Sequence, residues 1–360
     1  MKVLLIAPQP PPYGGIANWT AMMLEYVKGT DDCFKTINTA PKKRSTEGRN
    51  IFDRVVVSGF DMLRKKRELK AQIKKDRPDI IHMTTSGSLA IIRDVLLLKT
   101  AKKFGVPTVY HIRFGKTGEM AENNSRLWRL FSKAMKTADT VIAIDNKTFC
   151  DIKKYLPDVN VRLVPNPVNT SALPSSAQEI KKQVVFLGWV IPEKGVSELV
   201  KAWNTVGAEY SDYNLLIIGQ SNTEYYDELK TQAKVPNIIF AGELPHNKAM
   251  EAVAESEVFI LPSYTEGFPN AVVEAMALKK PVIASAVGAI PEMLEDDCGI
   301  LIEPRSADDI ISALKKTLTD KELRERISSN AAEKVNKQYK IEIVYEKYKE
   351  IWSNKEGVTE

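Results

Sequence analysis

The sequence predicts an α/β chain folded as two doubly wound domains in tandem. Three observations carry this expectation. The 360 residues exceed what one hydrophobic core usually supports, so two domains are the default. Short, solid apolar runs alternate with longer amphipathic stretches, the pattern of a parallel sheet covered on both faces. The alternation breaks once, at a polar, Ser-rich linker between Pro165 and Lys182, and then restarts.

The first half opens with a strand, Lys2–Ala7, a Gly/Pro loop ending in Gly14-Gly15, and a helix from Ile16 to Val27. Further strands are expected at Val55–Phe60, Asp79–Met83, Thr108–His111 and Thr140–Ile144, with helices at Met62–Lys75, Leu89–Phe104 and Trp128–Thr137. The second half reads as strands at Val184–Leu187, Asn214–Ile218, Ile238–Ala241, Val258–Leu261 and Pro281–Ala284. Its helices fall at Gly195–Val206, Glu224–Ala233, Lys248–Ala254, Asn270–Leu278 and Ala307–Leu318. The last helical stretch, Ile341–Trp352, follows a chain reversal. The expected domains are therefore 1–168, with a C-terminal helix at about 340–360 packed back on it, and 169–339. Both read as Rossmann-like, facing across a cleft where the strand ends of open parallel sheets bind ligands.

Composition narrows the function. With 44% hydrophobic and 27% charged residues the chain is neither disordered nor fibrous. Cys33, Cys150 and Cys298 form no CxxC pair, so a disulfide scaffold or Cys-based zinc site is not indicated. Pro8 and the run Pro10-Pro11-Pro12 interrupt the first apolar segment too early for a secretory leader, and no stretch is long and apolar enough to span a bilayer. A reducing, cytoplasmic setting is the expectation. Residues 1–170 carry 30 Lys and Arg against 16 Asp and Glu, and the remainder 21 against 30, so a net +14 faces −9. The first half is thus suited to something anionic, a membrane surface or a phosphorylated substrate, although lysine-rich helix faces would give the same count. Nucleic acid is not expected as a partner.

Gly14-Gly15 lacks the GxGxxG spacing, and no Walker sequence occurs. The loop could still bring backbone close to a phosphate at a helix N-terminus, or be a simple turn. A more informative segment runs from Pro262 to Ala277, where a buried strand gives way to a helix starting near Pro269 or Asn270. Glu266 lies in the loop and Glu274 in the second turn. Two carboxylates flanking a helix start can reach one ligand. On their own, Glu274 could instead complement the helix dipole and Glu266 be solvated.

The segment E-G-F-P-N-A-V-V-E-A-M-A, from Glu266 to Ala277, then Lys280–Ala284 and Gly288–Glu292, resembles the retaining, GT-B-fold glycosyltransferases of family 4. The resemblance covers essentially the whole chain. It takes in Gly14-Gly15, His111 after an apolar strand, Val164–Asn169, and Gly188 with Glu193-Lys194-Gly195. It implies a nucleotide-sugar donor, UDP- or GDP-linked, held by the second domain. Glu274 would accept from the ribose hydroxyls. Glu266, with main-chain N–H groups of Gly267, Phe268 and Asn270 beside Pro269, would hold the transferred sugar. Lys194 would pair with the diphosphate, approached by backbone at Gly14, Gly15 and Gly188. The base would lie near Gly219 and the loop Gly242-Glu243-Leu244. His111 would line the cleft near the sugar, making Glu266, His111 and Lys194 the catalytic set. His82 and His246 have no such support. No metal or other cofactor is implied, since no Asp-x-Asp occurs.

One position departs from the family. Gly188 is followed by Trp189 where family members carry an arginine on the diphosphate, so Arg113, two residues after His111, is the candidate replacement. The activity implied is transfer of a sugar to a hydroxyl of a saccharide or lipid-linked acceptor in envelope, capsule or exopolysaccharide synthesis. The rival readings are a nucleotide-sugar epimerase of the same fold, and a non-catalytic protein that binds nucleotide sugar or lipid. The basic clusters Lys42-Lys43-Arg44, Arg64–Arg67 and Lys74–Arg77, with Phe60, Leu63 and Leu69 on one helix, suit peripheral association at the inner face of the cell membrane, or ordinary core packing. Which sugar, base and acceptor, and which oligomeric state, have no signature.

Overall fold

The computed structural model describes residues 1–11, 14–40, 51–87, 90–175 and 180–353, with the side chains of 51–58 outside that description. Pro12 and the run Lys42-Lys43-Arg44 therefore lie outside the described residues. The chain divides into two units, Met1–Pro165 joined by the stretch from Glu346 on, and Asn166–Tyr345.

The first unit is built on six strands: β1 (Lys2–Ala7), β2 (Cys33–Asn38), β3 (Ile80–Thr85), β4 (Thr108–Ile112), β5 (Thr140–Ala143) and β6 (Val161–Leu163). They lie in the order β2-β1-β3-β4-β5-β6, and every pairing is parallel. β3 and β4 are buried at every position, as a central strand covered on both faces must be. Leu4, Ile6, Met83, Tyr110, Phe131 and Val141 form the core beneath the helices.

The second unit repeats the plan with β7 (Lys181–Leu187), β8 (Asn214–Ile218), β9 (Ile238–Gly242), β10 (Ser256–Leu261), β11 (Val282–Ser285) and β12 (Ile300–Ile302). Their order is β12-β11-β10-β7-β8-β9, again parallel throughout. Its core centres on Phe186, Trp203, Phe259 and Ile283, all fully buried. Truncating a side chain such as Trp203 to alanine would cost about 3–5 kcal/mol. In both sheets the order reverses beside the first strand, at β1/β3 and at β7/β10. The crevice outside the carboxyl ends of the strands at such a reversal is where open α/β sheets bind ligands.

Helix starts follow local chemistry. Ser125, Asp145, Asn222, Ser306 and Asp320 each accept a hydrogen bond from the backbone N–H three residues on. Each such cap is worth about 1 kcal/mol. Among the described residues the helices Gly15–Tyr26, Val196–Glu209 and Asn270–Ala277 have no side-chain cap. Their first N–H groups face the loops that follow β1, β7 and β10.

One expected element differs in kind. Val55–Phe60, expected as a strand, lies inside the helix Ile51–Asp76, and the strand that completes the sheet is β2. A short apolar run fits either period, and here the flanking helical pattern decides. β2 escapes notice because it is an edge strand with one fully buried residue, Ile37. On the long helix Phe60 is 72% exposed and Leu63 also stands out, whereas Leu69 is in the core. Among the described residues no helix is long and apolar enough to cross a membrane.

Candidate functional site

The β7/β10 reversal brings the loop Gly188–Gly195 beside the loop Pro262–Asn270. Backbone holds them together: Tyr264 donates its N–H to Glu193 O at 2.8 Å. Gly195 has φ +68°, and a Cβ there would lie 2.0 Å from Pro262 O. Only glycine meets both conditions. On the other side Gly288, at φ +58°, would place a Cβ 2.4 Å from Glu266 O, and Ala289 donates to Gly267 O at 2.9 Å. Glu266 and Gly267 are thus gripped from both flanks by close backbone approaches.

Two groups converge on one oxygen of Glu266. Lys194 Nζ sits 2.5 Å from Oε1, and Ser263 Oγ donates to the same atom at 2.7 Å. Both charged side chains are largely buried, so each neutralises the other where an unpaired charge would be costly. Lys194, expected against a diphosphate, is paired with Glu266 here. Glu274, on the helix Asn270–Ala277, has its own partner: His246 Nε2 lies 2.9 Å from Oε1. The carboxylate's hydrogen bond and charge raise the His246 pKa above its ordinary value, against the opposing effect of burial. His246, at the start of the helix after β9, carried no sequence signal beyond following the loop Glu243-Leu244.

The remaining predicted residues surround this pair. Gly188 donates to Ile218 O at 3.1 Å and Gly219 to Gly242 O at 2.8 Å, a row of small residues at the ends of β7, β8 and β9. Trp189 is 45% exposed. Glu243 is exposed and Leu244 half-buried. Phe268 packs edge-on against Tyr339 at 5.7 Å, and Pro269 precedes the helix. Asn270 Oδ1 accepts from Asn166 Nδ2 at 3.0 Å, which ties the linker to the helix start.

In the first unit Gly15 begins the helix after β1, and among the described residues nothing lies within 4 Å of where a Cβ on Gly14 or Gly15 would be. His111, expected to line an open site, has a fully buried ring, its Nδ1 3.1 Å from His82 Nε2. Packing on Trp19 and Tyr348 covers it. Arg113, expected as an accessible cation, is 9% exposed, its guanidinium 4.5 Å over the Trp19 ring. Among the described residues its Nε has no hydrogen-bond partner and no salt bridge reaches it. Burial lowers its pKa to about 10, so it stays charged near neutrality. The same burial, helped by Arg113, pushes His82 down to about 3 and His111 well below its ordinary value. The sequence missed His82 because its approach to His111 depends on the register of β3 against β4.

Comparison with known proteins adds the family context. Residues 173–334 match the family model described as glycosyl transferases group 1, and residues 40–172 match that described as glycosyltransferase family 4. A Bacillus subtilis (strain 168) protein assigned to teichuronic acid biosynthesis as a glycosyltransferase is 23% identical over 75% of this chain and 69% of its own. A capsular polysaccharide biosynthesis glycosyltransferase of Staphylococcus aureus is 26% identical over 47% of this chain and 45% of its own. Among solved structures, sucrose-phosphate synthase from Thermosynechococcus elongatus superposes with a TM-score of 0.77 at 18% identity, covering 98% of both chains. Anabaena HepE in complex with UDP-glucose gives 0.74 at 16% identity, covering 98% of this chain and all of that one.

Proposed function

The chain belongs to the family 4 glycosyltransferases, with the GT-B fold and glycosyl transfer as its activity, and from that premise we propose that it is a retaining enzyme using a UDP- or GDP-linked sugar. The observation that carries this reading is the convergence of Lys194 and Ser263 on Glu266 at the β7/β10 reversal. When a donor binds, Lys194 turns from Glu266 to the diphosphate, and Glu266 accepts the hydroxyls of the transferred sugar. At both stages the Glu266 carboxylate keeps hydrogen-bond donors, Ser263 among them, which limits the cost of its burial. Main-chain N–H groups of Gly267, Phe268 and Asn270, at a helix start without a side-chain cap, add donors for the same ligand. Glu274 leaves His246 to accept from the ribose hydroxyls, and the base rests near Gly219 and Glu243-Leu244.

In the transfer step the bond from the anomeric carbon to the diphosphate oxygen breaks on the face the acceptor hydroxyl approaches. The new bond forms to that hydroxyl oxygen, whose proton passes to the leaving phosphoryl oxygen. Lys194 and the N–H groups stabilise the charge that develops there, each well-placed donor being worth roughly 3 kcal/mol. No metal is required in this account. The acceptor is a saccharide, in line with the teichuronic acid and capsular polysaccharide biosynthesis named for two relatives. Exposed Phe60 and Leu63 beside Arg64, Lys66 and Arg67 support docking on an anionic bilayer that carries a lipid-linked acceptor. Equal flotation with anionic and neutral vesicles at low salt would remove that part.

Donor hydrolysis without acceptor tests the rest. A panel of UDP- and GDP-linked sugars, followed by proton NMR in the presence of EDTA, should show one nucleotide released and the freed sugar first appearing in the donor's own anomeric configuration. An inverted anomer, or an absolute requirement for divalent metal, overturns the reading.

A further inference from the structure

Within the second unit, residues 193–198 and 262–266 meet at the β7/β10 reversal, and three bonds cross between them. Tyr264 donates its backbone N–H to Glu193 O at 2.8 Å. Lys194 pairs with Glu266. The third bond is made by the Tyr264 side chain, whose phenol donates to the carboxylate of Glu198 in the first turn of the helix Val196–Glu209. The ring lies against Gly195, its Cε1 3.4 Å from where a Cβ there would be. Arg305 lays its guanidinium over the same ring, 4.7 Å from the centroid.

The phenol bond is built to last. A phenol donating to a carboxylate is charge-assisted, roughly twice as strong as a neutral hydrogen bond. Burial and the Glu198 charge raise the Tyr264 pKa above its ordinary value, so the phenol keeps its proton and remains a donor. Arg305 sits at φ +66°, a left-handed backbone that a non-glycine residue holds only where its surroundings over-determine it. It stands between β12 and the Ser306 cap of the helix Ala307–Thr319, so its stack ties the Tyr264 ring to a third element. Ser263 shares a peptide bond with Tyr264 and, itself fully buried, donates to Glu266 Oε1 at 2.7 Å. Any shift of Tyr264 is therefore passed on to Glu266.

We infer that Tyr264, anchored by Glu198 and Arg305, is a positioning residue that keeps the Glu266 loop in register with the Lys194 loop while Lys194 exchanges Glu266 for the diphosphate of the donor. The inference rests on the proposed donor site, and goes beyond it by naming what holds the two loops together once the ion pair opens. In the free protein the ion pair shares this load, which largely masks a loss of the phenol bond. In the bound protein the load falls on the phenol bond and the backbone bond to Glu193. Tyr264 thus matters to ligand binding to the extent that Lys194 changes partner.

Calorimetric titration with UDP and with GDP in a double-mutant cycle tests this. Tyr264→Phe keeps the ring and its Arg305 stack while removing the phenol bond. It should weaken nucleotide binding about fivefold in the native background and less than about twofold in Lys194→Ala, where no exchange of partners takes place. A merely structural role predicts the same factor in both backgrounds, with a matching fall in the unfolding midpoint of the free protein. Glu198→Gln still offers an oxygen to the phenol and should bind within about twofold of the native protein. Glu198→Ala should reproduce Tyr264→Phe, and replaces it in the cycle if that variant folds poorly. Equal factors in the two backgrounds, native affinity in both Tyr264→Phe and Glu198→Ala, or binding in Glu198→Gln as weak as in Glu198→Ala overturns the inference. Native affinity in Lys194→Ala, or no binding of either nucleotide to the native protein, instead removes the donor-site reading and the inference with it.

Discussion

The two units handle their polar groups in opposite ways. In the second, charged side chains at the strand ends are paired with one another: Lys194 with Glu266, His246 with Glu274. In the first, His82, His111 and Arg113 are stacked among Trp19, Tyr348 and Trp352, with Arg113 Nε and Trp19 Nε1 left over as donors. The first arrangement is suited to exchanging partners when a ligand arrives. The second is suited to holding donors in a fixed direction, since aromatic packing leaves them little freedom. Substitutions should therefore act through charge exchange in the second unit and through geometry in the first.

The largest effect is expected at Glu266. Glu266→Ala removes the sugar acceptor and frees Lys194, and turnover should fall by roughly 10²-fold or more, with the melting temperature little changed. A near-native rate would break the comparison at its centre. Next comes Gly195→Ala, which forces a Cβ against Pro262 O in a left-handed backbone. It should destabilise the second unit by about 1–3 kcal/mol, read by denaturant unfolding, and reduce turnover by displacing both loops.

The His246 pair sharpens the comparison through pH. A raised pKa means the His246–Glu274 pair is fully formed below the ordinary histidine value of 6.5 and is lost as pH rises through the raised one. Glu274 is then released for the ribose, so nucleotide affinity should increase with pH across that window. The pair is exposed on the histidine side, so the change should be modest, roughly two- to fivefold. His246→Gln should flatten it. The buried first-unit histidines should show no titration in the same range. Smallest of all, Trp189→Arg restores a cation at the end of β7 and should tighten nucleotide binding a few fold, about the worth of one partly exposed phosphate contact.

Much of this was legible in the sequence, for identifiable reasons. The inner strands are solid apolar runs because both faces are covered, and Asn214–Ile218 is found where it is expected. Edge strands β2, β6 and β12 carry a weaker signal, since much of each faces solvent. At the site, Glu266 and Glu274 are eight positions apart in one segment and can be read together. His82 and His111 are 29 apart, and His246 and Glu274 28 apart, so each pairing exists only once strand register or loop packing is fixed. Nor does a sequence tell that Lys194 rests on Glu266, which depends on the backbone bond between Tyr264 and Glu193.

The central claim is that the β7/β10 reversal binds a nucleotide sugar through Glu274 and the Lys194–Glu266 pair. Calorimetric titration with UDP and with GDP, on the native protein and on Glu274→Gln and Lys194→Ala, tests it most directly. One nucleotide should bind, and each substitution should weaken it at least tenfold, about 1.4 kcal/mol. Binding of neither nucleotide, or equal affinity in all three proteins, would contradict the account.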